Sequence, residues 1–131
     1  MASVIYPSFK EGLLRGDYNL INLTVRAVLI DTGAYTYNST HDFYNHITGV
    51  VGTESSPFTN KTIDNGLFNA DDITFASVTG NSIEAIIIFI DTGNTHTDAL
   101  VAYIDNAAGL PLTPNGGNIN VVWSASGIFQ L

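Results

Sequence analysis

A chain of 131 residues has the length of one ordinary domain, and two hydrophobic cores would each be too small to stand alone, so a single domain over 1–131 is expected. Apolar residues at 45% exclude a disordered tail, and charged residues at only 12% leave the surface polarity to Asn, Thr and Ser. Twelve acidic against four basic side chains give a formal charge of −8, which argues against nucleic-acid and membrane partners, and the lack of cysteine excludes a disulfide framework or a zinc–thiolate site.

In chain order, Pro7 followed by Phe9, Leu13 and Leu14, with Gly16 beyond, predicts one or two turns of helix, since Pro suits the first helical position and Gly the position past the last. Residues 1–20 form a candidate contact arm. Leu23, Val25, Ala27 and Leu29 alternate with Asn22, Thr24 and Arg26, the period-2 pattern of a strand. Tyr35 and Tyr37 alternate in a short extended piece, and Ser39 or Thr40 is placed to cap a short helix carrying Asp42, Phe43, Tyr44 and Ile47, ended by Gly49. Val50 and Val51 begin a weak strand that Pro57 confines to an edge or terminates. Thr59 to Asp64 and Leu67 to Phe68 flank Asn65-Gly66, the pair that favours a type I′ hairpin turn. Ile73 to Val78 reads as another strand.

The unbroken apolar run Ala85 to Ile90 is short and β-branched, which predicts a central strand buried on both faces; it is far below the roughly 20 residues that span a bilayer. Ala99 to Ile104, then Ile119, Val121 and Trp123, and finally Ile128 to Leu131 complete the pattern. Short strands punctuated by turn residues predict an all-β fold, a single-domain two-sheet β-sandwich of jelly-roll type with one or two short helices.

Ile-Asp-Thr-Gly occurs twice, at Ile30 to Gly33 and Ile90 to Gly93. Asp-Thr-Gly is the active-site sequence of aspartic proteases, in which two carboxylates share one proton. Here the aspartates, 31 and 91, are too close in the chain for each to sit in its own protease lobe, and Ile-Asp also ends apolar runs at Ile63-Asp64 and Ile104-Asp105, each followed by Asn. The tetrapeptide is therefore read as strand-end punctuation, the carboxylate accepting from the amide two residues on while Gly reverses the chain. The protease remains the enzymatic alternative. His41, Asp42 and His46 do not have metal-ligand spacing on one helical face, Asp71 and Asp72 lack a calcium-type loop, and no phosphate loop or Ser-His-Asp arrangement is visible, so no catalytic residue, metal or cofactor is assigned.

The run Tyr6-Pro7-Ser8-Phe9-Lys10-Glu11-Gly12-Leu13-Leu14, then Gly16-Asp17, Leu29-Ile30-Asp31, Tyr35-Thr36-Tyr37, His41-Asp42-Phe43, Lys61-Thr62, Asp71 to Phe75, Ala102 to Asp105, Gly109-Leu110-Pro111 and Pro114 to Gly117 resemble small virion structural proteins of tailed bacteriophages, over nearly the whole chain. The resemblance, with the size and acidity, implies a capsid decoration or cement protein on the outer surface of the virion, made in the host cytoplasm. Such a protein clamps neighbouring major capsid proteins and is expected to form a homodimer or homotrimer. A tail, baseplate or head-fibre module is the structural alternative, and a carbohydrate-binding module a third. The candidate contact residues are Tyr6, Phe9, Leu13 and Leu14 in the N-terminal segment, Tyr35 and Tyr37, and Ile128, Phe129 and Leu131 at the C-terminus, with Leu13, Leu14 and Phe129 read as core as readily as contact.

Overall fold

The computed structural model describes residues 4–107, 109–124 and 126–131. Among the described residues, ten strands and one α-helix follow in order: β1 (Val4–Ile5), α1 (Pro7–Arg15), β2 (Val25–Ile30), β3 (Val50–Val51), β4 (Thr62–Asp64), β5 (Leu67–Asn69), β6 (Ile73–Phe75), β7 (Ala85–Ile90), β8 (Leu100–Ile104), β9 (Ile119–Val121) and β10 (Phe129–Gln130). A single 3-10 turn, Tyr44–His46, lies between β2 and β3. The fold is mostly β, and every strand pairing is antiparallel.

The largest sheet runs β1-β8-β7-β2-β3, the others β10-β5-β4 and β6-β9. As expected from its composition, β7 is central: all six of its residues are buried, and it pairs with β2 from Val25↔Ile90 to Ile30↔Ala85. Alternation then fixes two faces. Arg26, Val28 and Ile30 share one with Ile87, Phe89 and Tyr103, and Tyr44 packs on it with its ring 4.8 Å from that of Phe89. Val25, Ala27 and Leu29 share the other with Ile86, Ile88 and Ile90. On that side Leu29 and Ile86 border the same cavity as Ile119 and Val121 of β9. The buried side chains form one contiguous cluster from Tyr6 to Trp123.

Helix α1 starts and stops where Pro and Gly predict. Pro7 occupies its first turn, and Gly16 takes the left-handed φ of 81° that ends it, with its amide on the Leu13 carbonyl and the Asp17 amide on that of Gly12. Gly12 itself is needed for space, because a Cβ there would lie 2.1 Å from the Tyr18 ring, which stacks on Phe9.

Three expectations differ from the structure. The Tyr35–Tyr37 piece is no strand: the Ala34 and Tyr35 amides turn back onto the Asp31 carbonyl instead of joining a ladder. The helix expected near 39–47 shrinks to the 3-10 turn, because the Tyr44 and Asn45 amides are taken by the Asp98 and Thr95 carbonyls of the loop before β8. β6 stops at Phe75, two residues before Ser77 at φ 50°, whose amide donates to the Asn118 side chain. The Asn65-Gly66 hairpin forms as expected, with φ of 51° and 76°. Beyond β3 the chain follows the edge of β2 irregularly: the buried Ser55 hydroxyl accepts from the Ala27 amide at 2.9 Å and so replaces a ladder carbonyl ahead of Pro57.

Candidate functional sites

Both Asp-Thr-Gly segments follow strand ends and are built alike. Asp31 accepts from the Gly33 amide at 2.9 Å, and Asp91 from the Gly93 amide at the same distance. The threonines then bind a second carboxylate. Thr32 donates its amide (2.9 Å) and hydroxyl (3.1 Å) to Glu84, while Thr92 donates its amide (2.6 Å) and hydroxyl (2.7 Å) to Asp98. Glu84 immediately precedes β7, and Asp98 lies two residues before β8. The carboxyl of Glu84 is held below the usual range, first by the hydrogen bond from Ser82 and then by those from Thr32.

The register places the two aspartates of the repeated tetrapeptide. Antiparallel pairing of β2 with β7 places Asp31 beside Glu84 and Asp91 beside Thr24, at opposite ends of a six-pair ladder. Seven residues separate Thr24 from Asp31, so at a strand rise of about 3.4 Å per residue the two are about 24 Å apart. They share no proton, and Asp91 is committed to Arg26, whose Nε donates to its Oδ2 at 2.7 Å.

The nine candidate contact residues separate into two groups. Tyr6, Tyr35 and Tyr37 collect on the first face of the large sheet, with Tyr103. Tyr6 and Tyr35 are buried, so neither is available as a surface contact; their hydroxyls are 2.9 Å apart, and that of Tyr35 is also 2.8 Å from His41 Nδ1. Burial, reinforced by Tyr35, pushes the Tyr6 phenol up and keeps it neutral. The His41 and His46 rings stack at 4.9 Å, and His46 Nε2 lies 3.1 Å from Asp42.

Burial, then His46, lowers the His41 pKa, against the opposing pull of Asp42. A depressed folded pKa means that the native state favours neutral His41. Its contribution is therefore whole above the ordinary value of about 6.5 and is lost as pH falls through the lowered one. Thermal melts from pH 7.5 to 5 are expected to show the wild type losing stability relative to His41→Gln as the medium acidifies; parallel curves would contradict this origin.

The second group is Phe9, Leu13, Leu14, Ile128, Phe129 and Leu131. Phe9 is buried, not exposed, and its ring meets Phe129 edge-on at 6.4 Å, while Phe129 lies 5.3 Å from Phe68. These rings floor a groove of about 440 Å³ between α1 and the β10-β5-β4 sheet, rimmed by half-buried Leu13 and by Ile63 and Leu131, which are 53% and 62% exposed. Leu14, which fits the apolar side of α1 in the sequence, is instead 90% exposed: it follows Leu13 by one residue, and the helix turns it outward. Ile128 is half-buried and borders a separate cavity with Trp123 and Ile5.

No family model matches the chain, and no curated protein matches it. Among the described residues no group of three or more His, Asp or Glu side chains is placed to hold a metal ion, and no helix is long and apolar enough to cross a membrane.

What periodicity missed is a third region. Tyr37 and Tyr103, with rings 5.5 Å apart, line a cleft of about 440 Å³ together with Tyr35, Glu84, Asp105 and Pro111. Its acidic members were visible as single acids flanking apolar runs, but their convergence depends on the β7–β8 pairing, which brings the start of one strand beside the end of the other.

Proposed function

We propose that this chain is a structural protein of a tailed-phage virion that decorates the outer capsid shell and stabilises contacts between major capsid proteins. One observation carries the reading: the groove between α1 and β10 is edged by Ile63 and Leu131, large apolar side chains left in water on a chain otherwise rich in polar turns. An apolar patch of this kind is the usual mark of a protein contact surface. The resemblance of the sequence to phage virion proteins supplies the partner, and the smaller sheets lying over the large one support a β-sandwich of jelly-roll type. A homodimer or homotrimer would multiply such contacts, each becoming intramolecular once the first has formed.

The test is binding of the chain to capsids assembled without it, with cryo-electron microscopy of the product. Density tiling the outer shell is expected. Leu131→Asp, at a largely exposed side chain on the rim of the groove, is expected to weaken binding about thirtyfold, the scale of one interface hot spot. Unchanged binding by that variant would overturn the assigned surface. Density confined to tail, baseplate or vertex fibres would replace the decoration reading by the other structural one.

A further inference from the structure

We propose that residues 38–41 form an acid-released cover over Tyr35 and the tyrosine cluster of the large sheet. Neutral His41 closes a hydrogen-bonded row with Tyr35 and Tyr6; a proton on His41 opens that row and turns the segment outward.

The row counts protons. It has three groups and two contacts: the Tyr6 and Tyr35 hydroxyls are 2.9 Å apart, and the Tyr35 hydroxyl is 2.8 Å from His41 Nδ1. Each contact takes one proton, so the two hydroxyl protons fill both when Nδ1 is an acceptor. Tyr6 then donates to Tyr35, Tyr35 donates to His41, and neutral His41 carries its own proton on Nε2. An imidazolium brings a third proton to a row with room for two. If Nδ1–H donates to Tyr35, and Tyr35 turns to donate to Tyr6, the Tyr6 O–H is forced off the row on a side chain that is 0% exposed. A buried donor without an acceptor is costly, whereas His41 is only half-buried, so the cation leaves the row for water.

The neighbouring groups favour the same outcome. His41 is faced by Tyr35 from the turn after β2 and, on its own segment, by Asp42 and by His46, whose ring is stacked on it at 4.9 Å and within 7° of parallel. Two imidazolium rings in such a stack repel each other, and Asp42, which favours the cation, is shared with His46 Nε2 at 3.1 Å. Burial first and His46 second lower the His41 pKa against the pull of Asp42, the direction that the row requires. Tyr6 is faced by Tyr35, Tyr37 and Tyr103, whose phenols burial pushes up and keeps neutral.

The backbone sets what moves. Residues 42–45 are pinned to the stretch at the start of β8: the Leu100 amide donates to the Asp42 carbonyl, and the Tyr44 and Asn45 amides donate to those of Asp98 and Thr95. Within 38–41 the bonds close on the segment itself, the Thr40 amide and hydroxyl and the His41 amide all donating to Asn38. That turn is free to swing as a piece, pivoting at residue 42, once His41 lets go of Tyr35. Tyr35, 3% exposed and with its ring 5.6 Å from the imidazole, is then uncovered.

The device does not depend on capsid decoration, and NMR of the isolated full-length chain tests it. At pH 7.5, long-range 1H–15N correlations should show His41 as the Nε2–H tautomer. Acidification to pH 5 is expected to remove the NOE between the Tyr35 and His41 rings, with the midpoint of the His41 titration below 6.5, while the rings of Tyr44 and Phe89 keep their shifts. Tyr35→Phe breaks the row and should raise the His41 midpoint. His46→Gln should raise it too, yet leave the loss of the NOE in place. The Nδ1–H tautomer at pH 7.5, an NOE that survives protonation, or joint movement of Tyr44 and Phe89, the mark of the whole sheet melting, would each overturn the device. So would a midpoint raised by His46→Gln and unchanged by Tyr35→Phe, since repulsion between the imidazoles would then be the whole effect. The wild-type tautomer and NOE decide the matter even where Tyr35→Phe fails to fold.

Discussion

Phe89→Ala is expected to lower the unfolding free energy by about 3–5 kcal/mol, the range for deleting a fully buried aromatic side chain. Phe89 is 0% exposed on the central strand, lies across from Arg26 on β2, and carries the Tyr44 ring at 4.8 Å. Its loss opens a cavity at the middle of the sheet and removes the platform on which the 3-10 turn rests. Urea denaturation should show the loss in the midpoint, and hydrogen exchange should show the amides of Tyr44 and Asn45 losing protection more than those of α1. A cost below about 1 kcal/mol would mean that the site collapses around the truncated side chain, contrary to the close packing on both sides of β7.

Asp98→Ala is expected to cost about 2 kcal/mol, because a carboxylate only 5% exposed then no longer receives the amide and hydroxyl of Thr92. Two variants separate the causes. Asp98→Asn retains an oxygen acceptor and should recover a good part of the loss. Glu84→Ala removes the corresponding acceptor at the first Asp-Thr-Gly turn, but at a more exposed position, where water takes over its donors, and should cost less. Equal destabilisation by Asp98→Ala and Glu84→Ala in thermal melts would show that burial does not set the difference.

Much of the architecture is legible in the residues, for identifiable reasons. The Ala85–Ile90 run, the Pro7-to-Gly16 helix and the Asn65-Gly66 hairpin are set by local chemistry: burial on both faces, a preset φ, and tolerance of positive φ. The side-chain turns at Asp31 and Asp91 are equally local, since each carboxylate reaches an amide two residues on. What local chemistry does not contain is competition for backbone donors. Residues 39–47 have the cap and the apolar spacing of a helix, yet the loop before β8 takes the Tyr44 and Asn45 amides, and Tyr35 and Tyr37 become a cover for the sheet instead of a strand. The same limit hid the acidic cleft, whose members come from residues 32–37, 84, 103–105 and 110–111 and meet only through sheet pairing. One signal was present in the sequence: Glu84 and Asp98 each stand just before an alanine that opens an apolar run, and these are the residues that close the two Asp-Thr-Gly turns.

The two sides of the large sheet have a bearing on how copies of this chain associate. β3, at one border, is two residues long, and next to it the edge of β2 is covered by a serine hydroxyl and the chain leading to Pro57. Such a short, interrupted border gives little template for another chain to extend the sheet by main-chain pairing. Association at this border must then proceed through side chains, with chosen partners and reversible contacts, and fibril growth should not start from it even when the chain is highly concentrated.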